Sequence, residues 1–144
     1  MPTFRHGKNA NFQLDNSAGS IQDLSTYIDE VTMPRSVETG ETTTFGVTGG
    51  SKTYVVGLND STISLKGKWD ATLDAHMAAV ISAQDSGSLA SATFKYGPES
   101  STASRIQYTG ECFITSYEVG SPVGDVVTWS AELQVTGAIT RTTY

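Results

Sequence analysis

The chain reads as a mainly β protein, a β-sandwich or barrel with one flanking α-helix. Three observations carry this. Ile63, Leu65, Gly67 and Trp69 alternate with Thr62, Ser64, Lys66 and Lys68, the period of a strand with one apolar and one polar side. Val127, Trp129, Ala131, Leu133 and Val135 alternate in the same way with Thr128, Ser130, Glu132, Gln134 and Thr136. One segment alone, 70–84, carries a convincing helical period.

In chain order, residues 1–9 form an N-terminal arm without apolar patterning. Ala10, Phe12 and Leu14 alternate with Asn11 and Gln13 and mark a first short strand, which ends in the turn residues Asp15 to Gly19. An extended segment from Tyr27 to Arg35 holds Tyr27, Val31 and Met33 in one phase, and Pro34 places it at an end or an edge. Residues 36–53 follow as a polar connector with a string of threonines, one aromatic residue and paired glycines. A connector this long with no regular structure of its own is uncommon in a compact domain. It predicts an arm that settles on another surface.

After the strand ending at Trp69, Asp70 is placed to cap a helix and Asp74 lies in its first turn. Leu73, Met77, Val80 and Ile81 form its apolar stripe, and Asp85-Ser86-Gly87 ends it. Ala92, Phe94 and Tyr96 mark the next strand. Ile106, Tyr108, Gly110, Cys112 and Ile114 hold one phase and Phe113, Tyr117 and Val119 the other. That switch, near Cys112 to Thr115, predicts a bulge or a strand that serves two surfaces. A turn over 120–125 leads to the last strand, and a polar tail ends at Tyr144. The expected core is Ile63, Leu65, Trp69, Leu73, Met77, Val80, Ile81, Phe94, Val127, Trp129, Leu133 and Val135.

At 144 residues the chain is expected to form one domain, 1–144, large enough for a real core. Only 17% of residues are charged, against about 25% in ordinary globular domains. Ser and Thr fill much of the gap, which suits β-structure and broad protein contacts. The net charge is −6, and the nine Lys and Arg residues are scattered, so the basic footprint that grips nucleic acid is missing. A single cysteine, Cys112, leaves no internal disulfide and reads as a small buried thiol. There is no apolar run of membrane-spanning length and no signal-peptide core at the start, so synthesis and folding in a cytoplasm are expected.

The chain carries no recognisable catalytic motif. His6 and His76 lack partners at metal-ligand spacing. The glycine-rich run from Gly46 to Gly50 precedes no helix, so it does not read as a phosphate cradle. Asp29-Glu30 and Glu38/Glu41 are carboxylate pairs without a sugar platform beside them, and Asn59-Asp60-Ser61 supplies too few oxygens for a calcium loop. No catalytic, metal or cofactor site is expected.

The order of several short motifs is more specific than any one of them. They are Pro34 to Thr39, Glu41 to Gly46, Lys52-Thr53-Tyr54, Gly57 to Asp60 and Ile63-Ser64-Leu65, then Phe94 to Pro98, Tyr108 to Glu111, Ser121 to Asp125 and Ser130 to Gly137. Together they resemble the major tail tube proteins of tailed bacteriophages, with the long non-contractile tail favoured, over nearly the whole chain. The resemblance implies a structural virion protein that stacks as rings, usually hexameric, assembled in the host bacterial cytoplasm. It implies that the inner sheets join into a barrel through which DNA is ejected. It also implies tape measure, tail terminator and tail tip proteins as partners, with no membrane involved.

Under that reading Arg35, Glu38, Glu41, Thr43, Phe45, Lys52 and Tyr54 belong to the inter-subunit loop. Glu30, Ser130, Glu132 and Gln134 are lumen candidates, since they lie on polar strand faces. An ordinary solvated outer face is the alternative for those four. The inner tube of a contractile tail, or of a secretion or injection device, shares this logic. A β-sandwich surface-binding module, with Tyr27, Tyr54, Tyr96 and Tyr108 as exposed platforms, is the rival from another class; an enzyme is a distant third.

Overall fold

A computed structural model describes residues 2–46 and 49–144; Val47 and Thr48 of the glycine-rich run lie outside the described residues. Eight strands and one α-helix follow in the order β1 (Asn11–Asp15), β2 (Ile21–Asp23), β3 (Ile28–Thr32), β4 (Arg35–Glu41), β5 (Tyr54–Lys68), α1 (Ala71–Ser86), β6 (Ala92–Gly97), β7 (Ile106–Gly120) and β8 (Thr128–Thr143). All pairings are antiparallel, in the order β2-β1-β6-β7-β8-β5-β3, and β4 pairs with the outer half of β5.

Cross-strand partners put one apolar set on one face. Phe12 faces Tyr96, Leu14 faces Phe94, Ala92 faces Cys112, Ile114 faces Leu133 and Leu65 faces Ala131. These side chains join Leu73, Met77 and Val80 of α1 in a single buried cluster, so the sheet curls around its core face and the helix closes it. Helix α1 starts where Asp70 accepts a hydrogen bond from the Thr72 N–H at 2.9 Å and stops at Gly87, whose φ of 81° suits the left-handed cap. Its amino end is pinned to the sheet by Asp74, which accepts from the Tyr117 hydroxyl at 2.9 Å.

The structure differs from the sequence reading at several places. The connector over 36–53 is not structureless: β4 pairs with β5 from Arg35↔Ser61 to Glu41↔Tyr54, making a long hairpin arm. All seven residues of β4 are exposed, so no alternation marked it. The short edge strand β2 is exposed throughout and was hidden for the same reason. The polar tail is also strand, since β8 continues to Thr143 against the first residues of β7. Gly137, at φ 84°, breaks its phase midway.

Three core assignments are corrected. Trp69 and Ile81 are half-buried at the margin of the cluster. Val127 is half-buried ahead of β8 and outside the cluster, its carbonyl accepting from the Trp69 N–H at 2.9 Å. The N-terminal arm carries a short 3-10 turn at Gly7–Asn9 and an ion pair from Arg5 to Glu99 at 3.1 Å. The bulge on β7 lies between Ile114 and Ser116; beyond it Tyr117 and Val119 face Ala131 and Trp129.

Candidate functional site: a polar four-stranded face with two open edges

Opposite the core, strands β3, β5, β8 and β7 present a polar face. Two cross-strand rows run over it: Glu30–Lys66–Ser130–Glu118 and Thr32–Ser64–Glu132–Ser116. Facing residues in an antiparallel ladder lie side by side, so each row is a continuous polar strip. Acids outnumber bases on it, with Asp29, Glu30, Glu118 and Glu132 against Lys66 and Lys68. Asp29 sits in the register shift of β3 and meets Lys68 at 3.6 Å. The Ser130 hydroxyl lies 3.5 Å from a Glu118 carboxylate oxygen.

The structure thus brings Glu30, Ser130 and Glu132 onto one face. Gln134 sits at its border, its amide donating to Asp60 at 2.8 Å and to the Ser61 carbonyl at 3.2 Å. Sequence reasoning left Glu118, Ser116 and Thr32 off this face. The β7 bulge resets which residues share a side, and only the pairing across β8 reveals the new phase.

Both borders of this sheet are open. Among the described residues β3 pairs on one side only, with β5. On β7, pairing with β6 covers Tyr108 to Cys112 and stops there, so Ser116 to Gly120 pairs with β8 alone. Unpaired strand edges are templates for further strand addition.

The hairpin arm forms the second notable surface. Arg35, Glu38 and Glu41 lie on β4, and Tyr54 opens β5. Thr43 accepts from the Thr53 N–H at 2.9 Å, extending the hairpin past the strands. Lys52 and Phe45 are exposed towards the tip. Val56 and Leu58 are 73% and 76% exposed, and Tyr54, Val55 and Val37 are also largely exposed. An apolar cluster of this kind on a projecting element marks a contact surface.

Groups with chemical potential are quiet. Burial pushes the Cys112 thiol up to about 12, which keeps it protonated and inert. Burial and the Asp74 carboxylate likewise raise Tyr117 to about 12. Burial lowers the pKa of His76, with Asp15 pulling the other way. No group of three or more candidate metal ligands occurs among the described residues. The four tyrosines of the rival binding reading form no shared platform: Tyr27 and Tyr96 pack against the core, Tyr108 stacks on Tyr96 at 6.4 Å between centroids, and Tyr54 lies on the arm.

The fold is similar to that of a chain in the tail of an empty gene transfer agent particle refined with C6 symmetry. The identity is 18%, with 96% of this chain and 99% of that chain covered at a TM-score of 0.75. It is similar to the SPP1 tail tube, at 17% identity over 98% of this chain and 80% of that one, with a TM-score of 0.65. A chain of the anti-feeding prophage baseplate matches at 10% identity over 99% and 97%, with a TM-score of 0.72. No curated protein sequence matches the chain. The family model described as phage tail tube protein matches residues 11–141, and the chain therefore belongs to the phage tail tube protein family.

Proposed function

We propose that copies of this chain join edge to edge into rings, stack into a tube, and provide the conduit for DNA ejection. The observation that carries this is the pair of open borders on one polar sheet. Strand direction alternates across β3, β5, β8 and β7, so β3 and β7 run oppositely. Rotating a copy about an axis along the strands sets β7 of one beside β3 of the next, antiparallel. A contact between two different edges closes into a ring when the rotation closes. The C6 symmetry of the gene transfer agent tail supports six copies.

In such a ring the polar face lines the lumen and the helix lies outside. Its excess of carboxylates repels phosphate, and its hydroxyls hydrate the wall, so DNA slides without sticking. The hairpin arm, with Tyr54, Val56, Leu58 and Phe45 bare, covers its apolar surface on a neighbouring copy or the next ring. Tape measure, terminator and tip proteins are the partners this role requires, assembly takes place in the host cytoplasm, and no catalytic step is involved. A second reading is the inner tube of a contractile tail or of an injection device; a chain of the anti-feeding prophage baseplate has a similar fold.

Glu132→Lys tests the lumen assignment. Glu132 is exposed on the polar face, so the variant folds and forms tubes, and DNA delivery by assembled particles falls at least tenfold. Unchanged delivery contradicts a lumen position.

A further inference from the structure

The border of β7 away from β8 is not uniform. From Tyr108 to Cys112 it is occupied by β6. At Ile114 a side chain takes over: the Gln84 amide donates to the Ile114 carbonyl at 2.8 Å and accepts from the Ile114 N–H at 2.8 Å. Those are the two bonds that a residue of a neighbouring strand exchanges with its partner in an antiparallel ladder. Gln84 is held for this in the last turn of α1. Its own carbonyl accepts from the Gly87 N–H at 3.2 Å, and the Ala83 carbonyl beside it accepts from the Leu89 N–H at 3.1 Å. Past the bulge, Ser116 to Gly120 is free on that side among the described residues.

We infer that Gln84 is a positioning residue that occupies the β7 border at Ile114 and so fixes where β3 of the next copy can pair. This rests on the tube reading. Two features of the structure require such a stop. First, β3 is five residues long, the same run that Ser116 to Gly120 leaves open. Second, the side chains that meet across this joint specify register weakly. Glu30 and Thr32 on β3 and Ser116 and Glu118 on β7 are all hydrophilic. A two-residue slip keeps every side chain on its own face, so the polar pattern does not forbid it. Such a slip displaces one copy by about 7 Å along the strands. A ring closes only if every joint repeats the same step, so one slipped joint opens it into a spiral. With Ile114 already satisfied, an incoming strand finds no donor or acceptor there, and slippage towards the core of the sheet gains no hydrogen bonds.

The test compares purified wild type with Gln84→Met, which keeps the length of the side chain without its amide, and with Gln84→Glu, which keeps only the acceptor. Melting and hydrogen exchange are read on the unassembled chains, and cryo-electron microscopy on the assemblies. Gln84→Met is expected to melt cooperatively and to exchange the Ile114 amide at least tenfold faster. Its assemblies are expected to contain open spirals or mixed diameters where wild type has one. If Gln84→Met does not fold, Gln84→Glu carries the same comparison. Variant tubes with the wild-type diameter and symmetry overturn the inference and leave the tube reading intact. A wild-type chain that forms no tubes overturns that reading, and this inference with it.

Discussion

Strand β5 passes through two different environments, and the contrast between its halves explains the molecule. From Thr62 to Lys68 it pairs with β8, with β3 on its other side over Ser64 to Gly67, and Ile63, Leu65 and Gly67 are buried. From Tyr54 to Asp60 it pairs, among the described residues, only with β4, and every residue is exposed although Val55, Val56 and Leu58 are as apolar as the core. The body of the protein is stabilised by its own burial. The arm has hydrogen bonds along one border and apolar side chains that nothing among the described residues covers. Stability and assembly are therefore written on different halves of one strand.

The largest expected effect lies in the body. Leu133 is fully buried between β5 and β7, so Leu133→Ala should cost about 2–5 kcal/mol in chemical denaturation. Leu58→Ser on the arm should change the stability of the isolated chain by no more than about 0.5 kcal/mol yet abolish rods seen by electron microscopy. Equal losses of stability would erase the contrast.

The two glycines of β5 sharpen it further. A Cβ on Gly67 would collide with the Tyr27 carbonyl oxygen, whereas on Gly57 the nearest atoms, in Glu38, lie at 3.2 Å. Gly67→Ala should destabilise by about 1–3 kcal/mol through overpacking, and Gly57→Ala by clearly less, both read from denaturant midpoints. Asp70→Ala removes the cap of α1, which packs on the body alone, and about 1 kcal/mol is expected without any change in how the arm engages a neighbour.

The smallest effect is a pH dependence confined to the body. Burial holds the pKa of His76 below its ordinary 6.5, so the unfolded chain takes up the proton first as pH falls. The contribution of the neutral imidazole is complete above that value and is lost as pH drops towards the folded pKa. Melting temperature should fall as the pH drops below about 6.5, and His76→Gln should flatten that slope. An unchanged slope would assign the acid sensitivity to other groups.

The same contrast explains what could be read in advance. Where a strand face is buried, as in Ile63-Leu65 and Trp129-Ala131-Leu133, alternation is plain because selection for burial writes it. Where both faces are exposed, as in β4 and β2, burial leaves no pattern. The arm was legible only as an unusual connector. Its identity as a hairpin depends on pairing with residues about twenty positions away. The polar face was half legible. Ser130 and Glu132 follow from the phase of β8, but Glu118 lies beyond a bulge that shifts the phase. The open borders could not be read at all. An edge is free because β6 stops opposite Cys112, and that is a property of the topology rather than of any local residue pattern. Gln84 was invisible for the same reason: at the end of a helix a glutamine is ordinary until the strand border beside it is known.

The most direct test is cryo-electron microscopy of the concentrated, purified chain. The account predicts hollow tubes whose wall joins β7 of each copy to β3 of the next, with Glu30, Glu118 and Glu132 on the inner surface and α1 outside. Particles that remain single copies at every concentration, or tubes whose inner surface is formed by the helix, would contradict it.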